Sequence, residues 1–262
     1  MPATPAQPVH ASDYTAVTET WGLAATPEQL SMMYSRYRFA AELAGGGSVL
    51  EVGCGAGMGL RYLAERSSLA VGGDFTANLL KNARQHVSTA PLVRLDAQAL
   101  PFRDAQFEVV LLLEMVYYLS DLELALVEAR RVLRPNGAVF ITVPNPNRPD
   151  FNPSPQSVSY PNAVDLGQIL KRARFAPEVF GNFPVADESG RDRLLHPVRQ
   201  LAVRFHLIPR SMRMKSLVKR ALYGDSRVGA VRDELAPYRP PTRLEGDQPV
   251  ATYKVLYAVG RL

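Results

Sequence analysis

Residues 48–60, SVLEVGCGAGMGL, run an apolar, β-leaning stretch into glycines at 53, 55, 57 and 59. A strand that ends in alternating glycines turns on bare backbone, and bare backbone lets a nucleotide-type ligand approach closely. Three ligands compete for such a turn: a phosphate chain, a dinucleotide, or a smaller nucleoside cofactor. A Walker-type phosphate loop ends in Gly-Lys-Ser/Thr, whereas here Met58-Gly59-Leu60 stand at that place, without a lysine. A dinucleotide fingerprint counted from Gly53 and Gly55 wants its third glycine where Met58 stands. Asp74 lies 21 residues beyond Gly53 and suits ribose hydroxyls in either a dinucleotide or a nucleoside site, so it leaves those two open.

Around this turn, strands and helices alternate. Thr26-Pro27-Glu28-Gln29 is a capping box with proline at the first helical position. The helix it starts carries Leu30, Met33, Tyr34, Tyr37, Ala41 and Ala44 on one face and stops at Gly45-Gly46-Gly47. Strands are predicted over residues 48–52, 69–73, 91–95, 107–113, 138–143 and 178–183, with a final one in ATYKVLYAVGRL. Helices are predicted over 59–65, 77–87 and 164–173, and after a second capping box at Ser120-Asp121-Leu122-Glu123. FEVVLLL, residues 107–113, is apolar without alternation, as a central parallel strand covered on both faces must be. This order predicts a doubly wound α/β sheet of Rossmann-like form, with ligands at the carboxyl ends of its strands.

Charge divides the chain. Residues 187–239 hold twelve Arg or Lys against six Asp or Glu, while the whole chain carries only +5. That stretch interrupts the core before the last strand, and its Met214, Leu217, Val218 and Ala221 follow helical spacing up to Gly224. The expected layout is a disordered lead over 1–12 and a cofactor-binding core over 13–186. A helical basic insertion over 187–249 and the core's final strand over 250–262 complete it. Single Cys54 leaves no internal disulfide and no cysteine-based zinc cluster, and no metal is expected. No apolar run approaches the ~20 residues of a membrane span, although a basic amphipathic helix also fits a membrane surface. The opening MPATPAQPVHASD lacks the basic and apolar regions of a secretory signal, which points to a cytoplasmic protein.

Five motifs in order resemble the class I S-adenosylmethionine-dependent methyltransferase family, small-molecule type: VLEVGCGAG, VGGDFT, LDAQALPF, FEVVLLLEMVYYL and RVLRPNGAVFITVPNPN. The resemblance covers roughly residues 34–183 plus the last strand. It implies a seven-stranded sheet with S-adenosyl-L-methionine as cofactor. Gly53, Cys54 and Gly55 would let backbone approach its methionine part, and Glu51 would supply negative charge there. Asp74 would hold the ribose hydroxyls, and Phe75 would pack beside the adenine. Asp96 would accept from the adenine amino group while the Ala97 amide donates to a ring nitrogen. Glu114 would lie near the reacting end.

The resemblance also implies a small-molecule acceptor methylated at oxygen. Where many relatives place a histidine, this chain has Tyr118, and a phenol near pKa ~10 is a poor base at neutral pH. Tyr118 and His196 are therefore the catalytic candidates, with His10, His86 and His206 less favoured. The alternatives are an RNA or other nucleic-acid methyltransferase, suggested by the basic stretch, and a cofactor-binding scaffold without activity. Nucleic acid is disfavoured because aromatics are not interleaved with the Lys/Arg run. The sixth strand is expected to run parallel to its neighbours, so the insertion would leave from the rim of the site. It would act as a substrate lid with the loop over 145–161, and its excision would spare cofactor affinity.

Overall fold

The computed structural model describes residues 13–185, 227–245 and 248–262. After a short 3₁₀ turn over Tyr14–Ala16, helix α1 (Pro27–Ala44) starts at the expected capping box. Thr26 Oγ1 accepts from Gln29 N at 3.1 Å, and Gln29 Oε1 accepts from Thr26 N at 3.0 Å. Gly45, at φ 54°, closes the helix in the left-handed region that glycine enters without strain. Then follow β1 (Gly46–Val52), α2 (Leu60–Ala64), β2 (Ser67–Asp74), α3 (Ala77–His86), β3 (Leu92–Arg94) and β4 (Phe107–Leu113). The chain continues with α4 (Leu122–Val132), β5 (Leu133–Pro144), α5 (Ala163–Arg172), β6 (Ala176–Pro184), β7 (Thr242–Arg243) and β8 (Tyr253–Arg261).

The strands form one sheet in the order β3-β2-β1-β4-β5-β8-β6-β7. β3, β2, β1, β4 and β5 are parallel, and β8 lies antiparallel between β5 and β6. The apolar run over 109–113 in β4 follows from this burial. Val110 and Leu112 pack with Leu126 and Leu166 on one face, while Val109, Leu111 and Leu113 pack with Met33 and Tyr37 on the other.

Four expectations need correction. The sheet has eight strands rather than seven, because Thr242–Arg243 pairs antiparallel with Phe180 and Gly181 on the outer edge of β6. β6 is not parallel to its neighbours: β7 and β8 flank it antiparallel. Its own direction still matches β1–β5, because β8 reverses between β5 and β6, so its carboxyl end keeps the expected side. Asp121 alone caps α4, accepting from Leu124 N at 2.9 Å, while Ser120 Oγ donates to Gln98. Lastly, residues 227–245 are not helical.

Instead they clasp the body of the domain. Gly22 N donates to Val228 O at 2.9 Å, Val228 N to Leu23 O at 2.8 Å, and Val231 N to Met58 O at 2.9 Å. Val228 and Val231 are buried with Met33 and Tyr62, and Asp233 accepts from Tyr62 Oη and Arg66 Nη2. Ser31 Oγ donates to Pro237 O, and Arg239 N to Ser35 Oγ. Pro237, Pro240 and Pro241 deny this stretch a helical ladder. The helical stripe of Met214, Leu217, Val218 and Ala221 lies outside the described residues, as do His10, His196 and His206. No helix of the described residues is long and apolar enough to cross a membrane.

Candidate active site

At the carboxyl end of β1 the chain turns through Gly53 (φ 77°), Gly55 (56°) and Gly57 (74°). Each lies where L side chains are strained. A Cβ on Gly53 would also sit 2.8 Å from Met115 Cγ, so the bare backbone is enforced twice. Gly53 N and Cys54 N both donate to Gly73 O, at 2.8 and 2.9 Å, which ties the turn to β2. Asp74, ending β2, tightens the same joint: Oδ2 accepts from Gly55 N and Oδ1 from Thr76 N, each at 2.8 Å. Burial raises the Asp74 carboxyl, and those backbone N–H groups pull it back. Cys54 is a buried thiol pushed well up by desolvation and then by the charges of Glu51 and Asp74, so it is no nucleophile.

The turn opens on a cavity of about 650 Å³ lined at the strand ends by Val52, Asp74, Asp96 and Leu113. Gly53, Cys54, Gly55, Phe75, Ala97 and Glu114 line it too, so the sequence-derived cofactor residues come together around one space. Glu51 is 1% exposed: Oε1 accepts from Tyr37 Oη at 2.6 Å, and buried Oε2 has no hydrogen-bond partner among the described residues. Desolvation pushes its carboxyl up to about 7, against the Tyr37 hydrogen bond and the positive charge of Arg36. Asp96 Oδ1 accepts from Gln98 N at 2.9 Å, which holds the loop after β3.

The N-terminal segment crosses the cavity mouth. Tyr14 N donates to Thr76 Oγ1 at 3.4 Å, and the Tyr14 ring meets Tyr118 at 4.9 Å. Farther along, Trp21 Nε1 donates to Ala56 O at 2.8 Å. The loop over 145–161 forms another wall, through Arg148, Ser154 and Tyr160. Tyr118 lines the cavity as expected, but its Oη is bonded to Ser154 Oγ at 2.7 Å, and burial pushes it up to about 12. It is a weaker acid than a free phenol, which tells against the catalytic role expected of it. His86 stacks on Trp21 at 4.3 Å and does not line the cavity.

Sequence reasoning missed Arg36, which enters the cavity from α1 beside Tyr37. Its position just outside the apolar stripe reads as a solvent face. It also missed Tyr37 as the partner of Glu51. Among the described residues no group of three or more His, Cys, Asp or Glu could hold a metal ion.

A methyltransferase-domain family matches residues 50–141 of the chain. A 2-phytyl-1,4-naphtoquinone methyltransferase of Trichormus variabilis is 32% identical over 160 residues, 55% of this chain and 68% of that protein. This chain belongs to the class I S-adenosylmethionine-dependent methyltransferases. A probable S-adenosylmethionine-dependent methyltransferase of Mycolicibacterium smegmatis is 31% identical over 54% of the chain and 57% of its own length. A malonyl-[acyl-carrier protein] O-methyltransferase of Pseudescherichia vulneris is 33% identical over 42% of the chain and 45% of its own. The chain thus spans about half the length of these two curated relatives. A methyltransferase structure from Archaeoglobus fulgidus shares the fold, with TM-score 0.57 at 15% identity over 89% of this chain and 94% of that one.

The cofactor of this methyltransferase family is S-adenosyl-L-methionine, and the residues present fit it. Glu51 Oε2 is a buried acceptor with no partner among the described residues, at the place the ammonium group of the methionine part would meet. The glycine turn offers backbone that a Cβ would block. Asp74 and Asp96 stand at successive strand ends along the same cavity.

Proposed function

We propose that this chain transfers a methyl group from S-adenosyl-L-methionine to an oxygen of a small-molecule acceptor. One observation carries the reading: a single cavity is lined by carboxylates, bare glycine backbone and tyrosines together. When bound, the cofactor supplies a methyl group on a positively charged sulfur. Glu51 holds the positive end of its methionine part, beside the backbone of Gly53, Cys54 and Gly55. Asp74 accepts from the ribose hydroxyls, and Phe75 packs on the adenine. Asp96 and the Ala97 amide read the adenine edge. The strap over 13–23 and the loop over 145–161 exclude water and align the acceptor, which supplies much of the acceleration in a displacement of this kind. Transfer to oxygen is supported by relatives named as O-methyltransferases of malonyl-[acyl-carrier protein], fatty acids and ubiquinone biosynthesis.

The reading is tested by calorimetry. S-Adenosylhomocysteine should bind and NAD should give no heat; heat from NAD alone would overturn it. A screen of small molecules with methyl-labelled cofactor then reports the acceptor. Asp74→Ala should weaken S-adenosylhomocysteine binding by about 1.5–3 kcal/mol, the scale of a lost hydrogen bond to a charged group. Unchanged affinity in that variant would remove Asp74 from the ribose.

A further inference from the structure

Methyl transfer to a hydroxyl oxygen needs a place for the proton, and most titratable groups in the cavity are already engaged. Tyr118 is bonded to Ser154, and Tyr37 donates to Glu51. Lys254 Nζ is held by Glu28 at 3.0 and 3.1 Å. His86, the only histidine among the described residues, lies off the cavity.

Glu114 is different. It is the first residue past β4, lines the cavity and takes φ 55°, the left-handed region that a side chain other than glycine rarely enters. Its backbone N–H is held there by Thr142 O at 3.0 Å and Thr142 Oγ1 at 3.2 Å. Strain of this kind persists where surrounding structure over-determines it, often at working sites. Burial raises the Glu114 carboxyl, and the positive charge of Arg36 and then a hydrogen bond with the Thr142 side chain pull it back. Arg36 Nε is closed to solvent and hydrogen-bonds nothing among the described residues. The other groups facing Glu114 are Glu19 of the N-terminal segment, Arg148 and Tyr160 of the loop, Tyr117 and Tyr118 just after β4, and Tyr257 of β8.

The wall at this end is aromatic. Tyr117 and Tyr160 stack at 4.5 Å and 18°, and Tyr118 lies 4.5 Å from Tyr117. Such a wall suits a planar ring. A carboxylate raised by burial can take a proton from a phenol, whose pKa is ~10, far more readily than from an aliphatic alcohol.

Resting on the methyltransferase reading, we propose that Glu114 is the general base of this site and that the acceptor's hydroxyl is phenolic. The O–H proton passes to the Glu114 carboxylate, and the electron pair of that bond stays on oxygen. This oxygen then bonds the methyl carbon as the carbon–sulfur bond breaks and leaves its pair on sulfur. Arg36 is a positioning residue that keeps Glu114 ionised before the transfer.

Two probes test this at a pH between their own pKa values: 4-methoxyphenol, which keeps its proton there, and 4-nitrophenol, which is ionised there. Glu114→Gln should slow transfer to 4-methoxyphenol about 100-fold or more, the scale of a lost general base. Transfer to 4-nitrophenol should stay within a few-fold, with S-adenosylhomocysteine affinity and thermal midpoint near those of the parent. With the cofactor held saturating, so that Glu51 does not contribute, the parent's kcat/KM on 4-methoxyphenol should fall as pH drops through the Glu114 titration, and that limb should vanish in Glu114→Gln. Equal losses on both phenols, or none on either, would overturn the proposal. A parent that methylates neither phenol overturns it too, while binding of S-adenosylhomocysteine leaves the methyltransferase reading standing.

Discussion

Gly59→Ala should cost the protein its cofactor site and a large part of its stability. A Cβ at that position would lie 1.9 Å from Tyr37 Cε1 and 2.1 Å from Cζ, inside a buried ring. The ring must move, and overpacking a closed interior costs about 1–3 kcal/mol. Movement also takes Tyr37 Oη from Glu51 Oε1, now 2.6 Å apart, which leaves a buried carboxyl without its donor. A hydrogen bond to a charged group is worth about 1.5–3 kcal/mol, so the total approaches about 3–5 kcal/mol. Against a typical domain stability of about 5–15 kcal/mol that is severe. Gly229→Ala is the control, because nothing among the described residues lies within 4 Å of a Cβ there. Urea unfolding of both variants and calorimetry with S-adenosylhomocysteine decide the matter. A Gly59→Ala protein within about 1 kcal/mol of the parent would show that the interior yields more easily than its packing implies.

The second large effect is one of pH, and it runs in opposite directions for stability and for binding. Glu51 has an ordinary carboxyl value of 4.5 and is pushed up to about 7 in the folded protein, first by desolvation. Between those values the native state holds a proton that the unfolded chain releases. Stability therefore falls as pH rises through that window, by up to about 3 kcal/mol, and the full cost is present above pH 7. The ammonium group of the ligand's amino-acid end prefers the ionised form, so S-adenosylhomocysteine affinity should rise over the same interval. Asp74 and Glu114 are raised too and add to the stability slope with the same sign. The difference between the parent and Glu51→Gln isolates the Glu51 share. Unfolding and calorimetric titrations across this range should show opposed slopes that both flatten in Glu51→Gln. Parallel slopes would remove Glu51 from the cation's side of the site.

What could be read in the sequence is what depends on near neighbours. The capping box at Thr26, the left-handed glycines after β1 and the apolar run over 109–113 in β4 each follow from a few adjacent residues. The residues proposed for the cofactor share one cavity for the same reason: they stand at or just past strand ends, and a parallel sheet brings its strand ends to one side. Tyr118 was located correctly but its chemistry was not, because its partner Ser154 arrives from a loop 36 residues on. Arg36 looked outward on its helix, and only the packing of α1 over the strand ends turns it toward Glu114. Residues 227–245 were the largest miss. Their apolar residues are too few and their prolines too many to announce an element, so their bonds to Leu23 and Met58 emerge only in the folded chain. Excising 187–249 would also take Val231 N away from Met58 O.

The position of β8 sets a schedule for the ribosome. β8 pairs with β5 over Ala138–Pro144 and with β6 over Ala176–Pro184, so it is a middle strand made after both of its partners. Until it emerges, β5 and β6 have no ladder between them, and each exposes an edge of the kind that invites pairing with other chains. The parallel half, β1 to β5, is complete more than a hundred residues earlier and can collapse by itself. Closure of the sheet is then a late, long-range step, slow for the reason that distant contacts are slow. A nascent chain stalled before Tyr253 should therefore be more prone to self-association than the finished protein, and more dependent on chaperones.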